Sequence, residues 1–236
     1  MRSDGRRPDE MRPVEFLRGF NERPPGCVLA SFGRTRVLCT AVVEDGVPPF
    51  LVGSAKGWLT AEYSMLPAST ERRKAREGRT GKPDSRSLEI SRLIGRALRT
   101  VVDLKAFREK TIWLDCDVLQ ADGGTRTVAV SGAYLALLDA VDGMRAKPAG
   151  RPVLGALAAV SVGVVGGRAL LDLDYEEDSN AEVDLNVIMT DGGRFVEIQG
   201  TAESEPFDGA RLEEMLGLAR DGVAAVLAAQ RRARAT

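Results

Sequence analysis

The order of strands and helices that the sequence predicts restricts the fold of this chain more than any other feature. Alternating or continuous apolar runs indicate strands, and apolar residues at i, i+3 and i+4 indicate helices. Along the 236 residues these patterns give the order ββ, α, β, α, ββ, ββ, α, without a repeated βα unit. This order excludes Rossmann and TIM-barrel folds. It predicts the α+β class, with mixed or antiparallel sheets and the helices grouped on one side.

The predicted elements leave one long irregular stretch in the N-terminal half. Strands are predicted over 27–32, 36–43 and 111–119, helices over 87–102, 127–141 and from 208 onward, and hairpins over 157–173 and 182–198. The hairpins turn at Gly166-Gly167 and Asp191-Gly192, dipeptides that suit primed turns with positive φ. Residues 45–85 are rich in Gly, Pro, Ser and Arg, and connections of that length are usually functional or disordered. We therefore expect a flexible basic loop at about 70–85 and a frayed tail at about 231–236.

Length and cysteine usage narrow the class of protein further. The length is that of one large domain or two small ones, and we expect a single catalytic domain over 1–236. The odd number of widely spaced cysteines, Cys27, Cys39 and Cys116, argues against a disulfide framework and against a zinc site. No apolar run approaches the roughly 18 residues of a membrane-spanning helix, and the first residues lack the apolar stretch of a signal peptide. These features predict a cytoplasmic protein without a membrane segment.

The absence of histidine limits the available chemistry. The chain contains no His, so a Ser-His-Asp triad, a Cys-His pair, a His-ligated metal and a His general base are all excluded. Catalysis would have to use carboxylates, Arg or Lys, backbone donors, or a hard metal ion with oxygen ligands.

The charges are segregated although the net charge is only −1. Residues 70–86 carry seven basic and three acidic side chains, whereas residues 172–184 carry seven acidic and no basic ones. A basic stretch suggests contact with a polyanion, and an acidic cluster suggests a cation site. Two solvated loops would give the same composition, so the charges alone leave both readings open.

The sharpest local motif is Asp122-Gly-Gly-Thr-Arg, between a predicted strand and a predicted helix. Glycines at such a junction let the backbone approach a ligand, and the first N–H groups of the helix form an anion site. Thr125 adds a hydroxyl donor, and Arg126 adds a guanidinium fork suited to phosphate oxygens. An ordinary loop in which Asp122 or Thr125 caps the helix fits the pattern equally well.

Two further features point to a charged ligand. Arg86 precedes a predicted helix, where a positive charge opposes the helix dipole and so suggests a nearby anion. Asp178 is expected in the loop between the hairpins. Asp184 is expected within the following strand, on one face with Glu182 and Asn186. Carboxylates in that arrangement can hold Mg²⁺ or supply a general acid, although a solvated acidic face is the alternative.

Several longer segments resemble the ribonuclease PH family of phosphate-dependent 3′ exoribonucleases, and they follow one another along nearly the whole chain. The matching segments are Arg2-Ser-Asp-Gly-Arg-Arg, Gly57-Trp-Leu-Thr-Ala-Glu-Tyr-Ser-Met-Leu-Pro, Glu89-Ile-Ser-Arg-Leu-Ile-Gly-Arg, Asp115-Cys-Asp-Val-Leu-Gln-Ala-Asp-Gly-Gly-Thr-Arg-Thr and Val196-Glu-Ile-Gln-Gly-Thr-Ala-Glu. The family pattern usually has Gln where Ser91 stands here, a departure that leaves the candidate site residues unchanged.

The resemblance implies a fold, a reaction and an assembly. The implied fold is the β-β-α-β arrangement of that family, with mixed sheets and helices packed against them. The implied reaction is reversible and Mg²⁺-dependent: it trims the 3′ end of tRNA precursors by transferring the terminal nucleotidyl group to inorganic phosphate, which releases nucleoside 5′-diphosphates. Phosphate would be held at Arg86, Gly124, Thr125 and Arg126, and Asp178 and Asp184 would be the catalytic and Mg²⁺-site residues. The implied assembly is a homohexamer, a trimer of dimers.

The physical chemistry of the residues is consistent with that reaction. Phosphate is already an anionic nucleophile at neutral pH, so the missing histidine is no obstacle, and cations must offset its repulsion from the scissile phosphodiester. The basic residues Arg72, Arg73, Lys74, Arg76 and Arg79 are expected to contact the RNA backbone without sequence specificity. An acid role at Asp178 or Asp184 needs a raised pKa, whereas metal binding lowers it, so the sequence leaves the choice open. A catalytically silent RNA-binding ring subunit and a hydrolytic metal-dependent nuclease are the alternatives.

Overall fold

A mixed five-stranded sheet forms the N-terminal half of the protein. The computed structural model describes residues 2–76, 84–145, 147–148 and 150–235. Its first sheet has the order β1-β2-β3-β5-β4. The strands are β1 (Val14–Arg18), β2 (Gly26–Phe32), β3 (Thr35–Asp45), β4 (Trp58–Met65) and β5 (Lys110–Gln120). β4 runs parallel to β5, and the other neighbours pair antiparallel.

A four-stranded antiparallel sheet forms the C-terminal half, in the order β7-β6-β8-β9. Its strands are β6 (Leu157–Val165), β7 (Arg168–Leu171), β8 (Val183–Thr190) and β9 (Phe195–Ala202). The helices are α1 (Ser85–Arg99), α2 (Thr125–Gly143), the short α3 (Tyr175–Ser179) and α4 (Gly209–Ala235). These elements confirm the predicted α+β class with helices packed against mixed sheets.

Helix α2 connects the two halves because it is apolar on nearly all sides. It packs against β2 and β3 of the first sheet and against β6 of the second. Small residues permit the close approach: a Cβ on Gly132 would lie 2.7 Å from Cβ of Ala30 and from Sγ of Cys39. Helix α4 also contacts both sheets, since it packs on β6, β7 and β8 of the second sheet and on β1 of the first.

Three elements were not predicted from the sequence: the strands β1 and β4 and the short helix α3. The stretch 45–85 was expected to be irregular, but it contains β4, whose alternate residues Leu59, Ala61, Tyr63 and Met65 are buried. The segment between the hairpins contains α3, which Asp174 caps by accepting a bond from the Glu177 N–H. Asp178 therefore lies on a helix and not in a loop.

One of the two predicted hairpin turns is confirmed and the other is wrong. Gly166 and Gly167 have φ of +57° and +72°, as the primed turn requires. The second hairpin instead turns through residues 191–193, with the positive φ of +72° at Gly193, so the two-residue turn predicted at Asp191-Gly192 is wrong.

The expected frayed tail is wrong as far as Ala235, because α4 continues to that residue. Arg234 lies 2.9 Å from Asp142, and Arg18 donates to the carbonyl of Ala233 while binding Asp139, so ion pairs and hydrogen bonds fix the last turns. Among the described residues, no helix is long and apolar enough to cross a membrane.

Candidate active site

A cleft of about 950 Å³ opens where β5 ends and α2 begins. Five parts of the chain line it: Arg34 between β2 and β3, the segment 65–74 from the end of β4, Arg86 at the start of α1, residues 120–125, and α3 with Tyr175 and Asp178. Most of the residues singled out from the sequence therefore lie in or beside one cavity. We call residues 122–125 the glycine turn and residues 172–179 the acidic arm.

The glycine turn has the backbone that the sequence predicted. Gly123 and Gly124 have φ of +76° and +66°, and Gly124 occupies the N-cap position of α2 without a side-chain cap. A Cβ on Gly123 would lie 2.6 Å from the carbonyl carbon of Asp174, so the turn touches the acidic arm with no room for a side chain. The start of a 19-residue helix thus faces the cleft, which favours an anion there.

Thr125 is held by a residue that the sequence prediction missed. The buried Tyr63 hydroxyl on β4 donates to Thr125 Oγ1 at 2.8 Å, which leaves the Thr125 hydroxyl hydrogen available for an acceptor in the cleft. Burial raises the pKa of Tyr63 and keeps the phenol protonated as a donor. The alternating apolar pattern of Trp58–Met65 was the signal that could have placed Tyr63 on a strand.

Arg126 lies beside the cleft and is engaged with polar side chains. Its guanidinium donates to Glu89 Oε1 on α1 at 3.2 Å and to Gln199 Oε1 on β9. Gln199 also donates to Glu89 at 3.2 Å, so the three side chains form one network that joins α1, α2 and β9. Glu89 and Gln199 belong to matching segments in the sequence, but only the structure places them against Arg126.

Arg86 lines the cleft from the first turn of α1. Asp84 caps this helix by accepting from the Arg86 N–H at 3.4 Å. The positive charges of Arg86 and Arg126 both lower the pKa values of Asp178 and Asp184, although desolvation outweighs them. The two arginines and the two aspartates therefore lie close enough to interact electrostatically.

The two aspartates reach the site from different elements. Asp178 lies on α3 and lines the cleft, while Asp184 lies on β8, with Val183, Leu185 and Val187 in the core as predicted. Glu182, expected on the same face as Asp184, instead accepts from the Gly167 N–H in the turn between β6 and β7.

Asp184 is the more strongly perturbed carboxylate. Desolvation and the nearby charge of Asp178 raise the pKa of Asp184 to about 6, against the opposing effects of Arg126, Asn186 and Arg86. Asn186 donates to Asp184 Oδ2 at 3.1 Å, whereas the buried Oδ1 has no hydrogen-bond partner among the described residues. A buried oxygen with an unused acceptor site suits a cation or a proton.

The basic side of the cleft includes part of the predicted RNA-contacting set. Arg72 and Lys74 line the cleft, whereas Arg73 and Arg76 are exposed outside its lining, and Arg79 lies outside the described residues. Arg34, which the sequence analysis did not single out, also lines the cleft and holds Asp122 with two bonds of 3.0 and 3.2 Å.

Comparison with known proteins identifies the family of this chain. Domain 1 of the 3′ exoribonuclease family matches residues 10–141, and domain 2 of the same family matches residues 155–222. The chain is 56% identical to ribonuclease PH of Corynebacterium glutamicum over 98% of this chain and 96% of that protein. It is 54% identical to ribonuclease PH of Corynebacterium kroppenstedtii over 99% and 92% of the two chains.

Solved structures share the fold at low sequence identity. An Archaeoglobus fulgidus exosome chain, from a structure with RNA bound to the active site, superposes with a TM-score of 0.81 at 22% identity, covering 95% of this chain and 91% of that one. Rice Rrp46 superposes with a TM-score of 0.79 at 18% identity, covering 98% of both chains.

The family models span both sheets, and the relatives more than half identical extend over nearly the full length. The resemblance seen in the sequence is thereby confirmed. The chain belongs to the ribonuclease PH family of phosphate-dependent 3′ exoribonucleases.

Proposed function

We propose that the protein trims the 3′ end of tRNA precursors by phosphorolysis. The terminal nucleotidyl group passes to inorganic phosphate, and nucleoside 5′-diphosphates leave in a reversible reaction. The observation that carries this proposal is one cleft in which an uncapped helix start, an arginine and a carboxylate meet: Gly124, Arg86 and Asp178 all line it. An anion site beside a carboxylate is what an attacking phosphate and a departing 3′ oxygen require.

Phosphate binding is assigned to Gly124, Thr125, Arg126 and Arg86. The turn supplies backbone N–H groups, Thr125 supplies the hydroxyl hydrogen that Tyr63 leaves free, and the arginines supply charge. Arg126 would exchange its contact with the half-exposed Glu89 for one with phosphate. These donors offset the repulsion between phosphate and the RNA phosphodiester. No general base is needed, because phosphate is already an anionic nucleophile at neutral pH.

The donor set near Asp184 fits Mg²⁺. Among the described residues, no group of three or more carboxylate or cysteine side chains forms a metal cage. Mg²⁺ commonly binds through one or two carboxylates, keeps several waters and contacts substrate phosphates. Asp178 and Asp184, with the unpartnered Oδ1 of Asp184, supply such a pair. Bound there, the ion would offset negative charge on the reacting phosphates.

The carboxylates also carry the catalytic role that we assign to Asp178 and Asp184. A group with a pKa of about 6, as at Asp184, can hold or release a proton near neutral pH, which suits a departing 3′ oxygen. Metal coordination lowers that pKa, so the two roles compete at one residue. We assign coordination to both residues.

The RNA is proposed to enter along the basic side of the cleft. Arg72 and Lys74 line that side, and Arg73, Arg76 and Arg79 extend the basic segment along the chain. Contacts from such residues to phosphates give affinity without sequence specificity, which suits 3′ ends of varied sequence.

We further propose that the whole chain acts as one catalytic domain and assembles as a homohexamer, a trimer of dimers. One continuous hydrophobic cluster includes residues of both sheets and of α1, α2 and α4, which supports a single unit. Exposed apolar side chains such as Leu17, Trp113 and Ile198 supply contact area, and one structural neighbour is an archaeal exosome core. Sedimentation should give six times the chain mass of 25.4 kDa.

The three cysteines are buried and unpaired, which supports a reducing compartment such as the cytoplasm.

One experiment separates the candidate functions. The protein is incubated with a 3′-extended tRNA precursor and Mg²⁺, with and without inorganic phosphate, and the released nucleotides are identified. Nucleoside diphosphates that appear only with phosphate support the proposal. Monophosphates without phosphate would indicate a hydrolytic nuclease, and bound RNA without release would indicate a silent ring subunit.

A further inference from the structure

The N-terminal arginines form a buried ion-pair network behind the candidate active site. Arg2 and Arg12 are only 8% and 5% exposed, and both reach the acidic arm across the sheet interface. Arg2 belongs to a segment that matches the family in sequence, and neither arginine is part of the lining of the cleft. A buried arginine needs hydrogen-bonded partners to offset its lost hydration, and residues of the acidic arm supply them here.

Arg12 holds the acidic arm through Asp172. The fully buried Asp172 carboxylate accepts from the Arg12 backbone N–H at 2.8 Å and from its guanidinium at 2.9 and 2.7 Å. Asp172 has a φ of +55°, a conformation that non-glycine residues rarely adopt without support from surrounding contacts. This residue begins the arm that leads to Asp178.

The same guanidinium holds the glycine turn. Arg12 donates to the carbonyl of Asp122, and its other terminal nitrogen lies 3.5 Å from the carbonyl of Gly123. Arg12 is therefore bonded to both lining segments at the point where Gly123 touches Asp174. The turn has a second support, because Thr35 Oγ1 donates to the Gly123 carbonyl at 2.7 Å and accepts from the Asp122 N–H at 2.9 Å.

Arg2 strengthens the arm one turn further along. It binds both carboxylate oxygens of Glu177 at 2.7 Å and donates to the carbonyl of Asp172 at 2.9 Å. Glu177 closes the capping box of α3 and directly precedes Asp178. The helix has only five residues, so its position depends on these contacts and not on its own stability.

We propose that Arg12 is a positioning residue for phosphorolysis: it fixes the distance between the bound phosphate and the carboxylate arm without touching either reactant. The inference rests on the proposed function, since it takes the glycine turn as the phosphate site and Asp178 as a catalytic carboxylate. Arg2 supports the same arm from the side of α3.

The proposal predicts a separation between binding and turnover. With the Arg12 fork removed, Thr35 still holds the glycine turn, so the affinity for phosphate is retained. The arm loses the hydrogen bonds that tie it through Arg12 to the turn, and a misplacement of about 1 Å between reacting groups lowers turnover by roughly 10- to 100-fold.

The test compares Arg12→Lys with Arg18→Lys. Each variant keeps the charge and loses a two-pronged arginine–aspartate pair, but the pair of Arg18 with Asp139 lies outside the cleft. Phosphate affinity, the KM for phosphate and kcat on a tRNA precursor are measured well below each unfolding temperature. We expect kcat of Arg12→Lys to fall roughly 10- to 100-fold with phosphate affinity within about twofold, and Arg18→Lys to match the wild type.

Two results would overturn the proposal. Wild-type kcat in Arg12→Lys would show that the link does not position the carboxylates, and equal losses in both variants would show a general effect of destabilisation. If Arg12→Lys does not fold, Arg2→Lys is measured in the same way with the same expectation. A wild-type protein that releases no diphosphates would refute the proposed function instead, so the two failures are distinguishable.

Discussion

The glycine turn and the acidic arm line one cleft, yet contacts of very different range hold them. The turn is formed by consecutive residues at the end of β5 and the start of α2, where two glycines with positive φ set the backbone. The arm depends on Arg2 and Arg12, which lie 175 and 160 positions from their partners Glu177 and Asp172. The anion side of the site is thus locally encoded, while the carboxylate side depends on the complete tertiary structure.

The two regions also differ in electrostatics. The turn and the nearby arginines present donors and positive charge. The arm and β8 present carboxylates whose pKa values are raised by desolvation, with one oxygen of Asp184 unpartnered among the described residues. Carboxylates with raised pKa values beside positively charged donors are typical of catalytic clefts.

The largest expected effect comes from removing charge on the carboxylate side. Asp184→Asn keeps the shape of the side chain and removes the negative charge, so we expect turnover to fall by about 10³-fold or more, with folding and assembly retained. Single-turnover kinetics with a tRNA precursor measure the loss, and sedimentation checks the assembly. Near-normal activity would remove Asp184 from the catalytic residues.

The contact between the two regions is tested by Gly123→Ala. The added Cβ meets the backbone of Asp174 at a φ of +76°, so we expect a loss of about 2–4 kcal/mol in the free energy of unfolding. Gly167→Ala is the matched control, because Gly167 has a φ of +72° and nothing within 4 Å of the added Cβ. Its loss should be about 1 kcal/mol. Denaturant titration measures both variants, and equal losses would show that the turn and the arm are not in tight contact.

The same difference in range explains how much could be predicted from sequence. The strand–turn–helix around Asp122 was placed correctly because glycine φ preferences and helix periodicity act within a few residues. The core faces of β8 and of α1 were also predictable, since periodicity reports burial directly. The α+β class followed from the order of the elements.

Other parts of the site could not be predicted because distant residues decide them. Helix α3 has only five residues, too few for a periodic pattern, and the Glu177 carboxylate of its capping box also pairs with the distant Arg2. Tyr63 was missed because β4 lies within a stretch whose Gly and Pro content indicated a loop, although its alternating pattern is that of a strand. The cluster of Glu89, Gln199 and Arg126 joins three elements that no local pattern connects.

The anion side is tested on its own by Arg126→Ala. Loss of a charge-assisted donor should raise the KM for phosphate by roughly 10- to 100-fold and leave the affinity for RNA nearly unchanged. Arg96→Ala is the matched control, since Arg96 binds Glu197 across the same pair of elements, α1 and β9, and is exposed. A defect confined to RNA binding would contradict the assignment of Arg126 to phosphate.

Changes on the basic side of the cleft should have a smaller, salt-dependent effect on RNA binding. Arg72→Glu with Lys74→Glu should weaken binding of a tRNA precursor by about tenfold and flatten its dependence on salt, while phosphate affinity is spared. Arg231→Glu with Arg232→Glu makes the same change of charge at exposed positions of α4. The affinity for a tRNA precursor is measured at two salt concentrations. If its dependence on salt is unchanged in the variant with Arg72→Glu and Lys74→Glu, RNA does not bind along the basic side of the cleft.

The smallest expected effect is on stability and depends on pH. The pKa of Asp184 is raised to about 6 in the folded protein, so between pH 4 and 6 the folded state binds more protons than the unfolded state. Stability therefore falls as the pH rises through this window, and Asp184→Asn lacks that loss. We expect this variant to be more stable than the wild type by about 1 kcal/mol at pH 7.5, a value reduced by the partial solvent contact of Asp184, with the difference vanishing towards pH 4. Urea unfolding at both pH values measures it, with Asp221→Asn on the exposed face of α4 as control. If the free energy of unfolding changes equally with pH in wild type and Asp184→Asn, desolvation does not destabilise the charged form of Asp184 and the proposed electrostatic difference between the two regions is refuted.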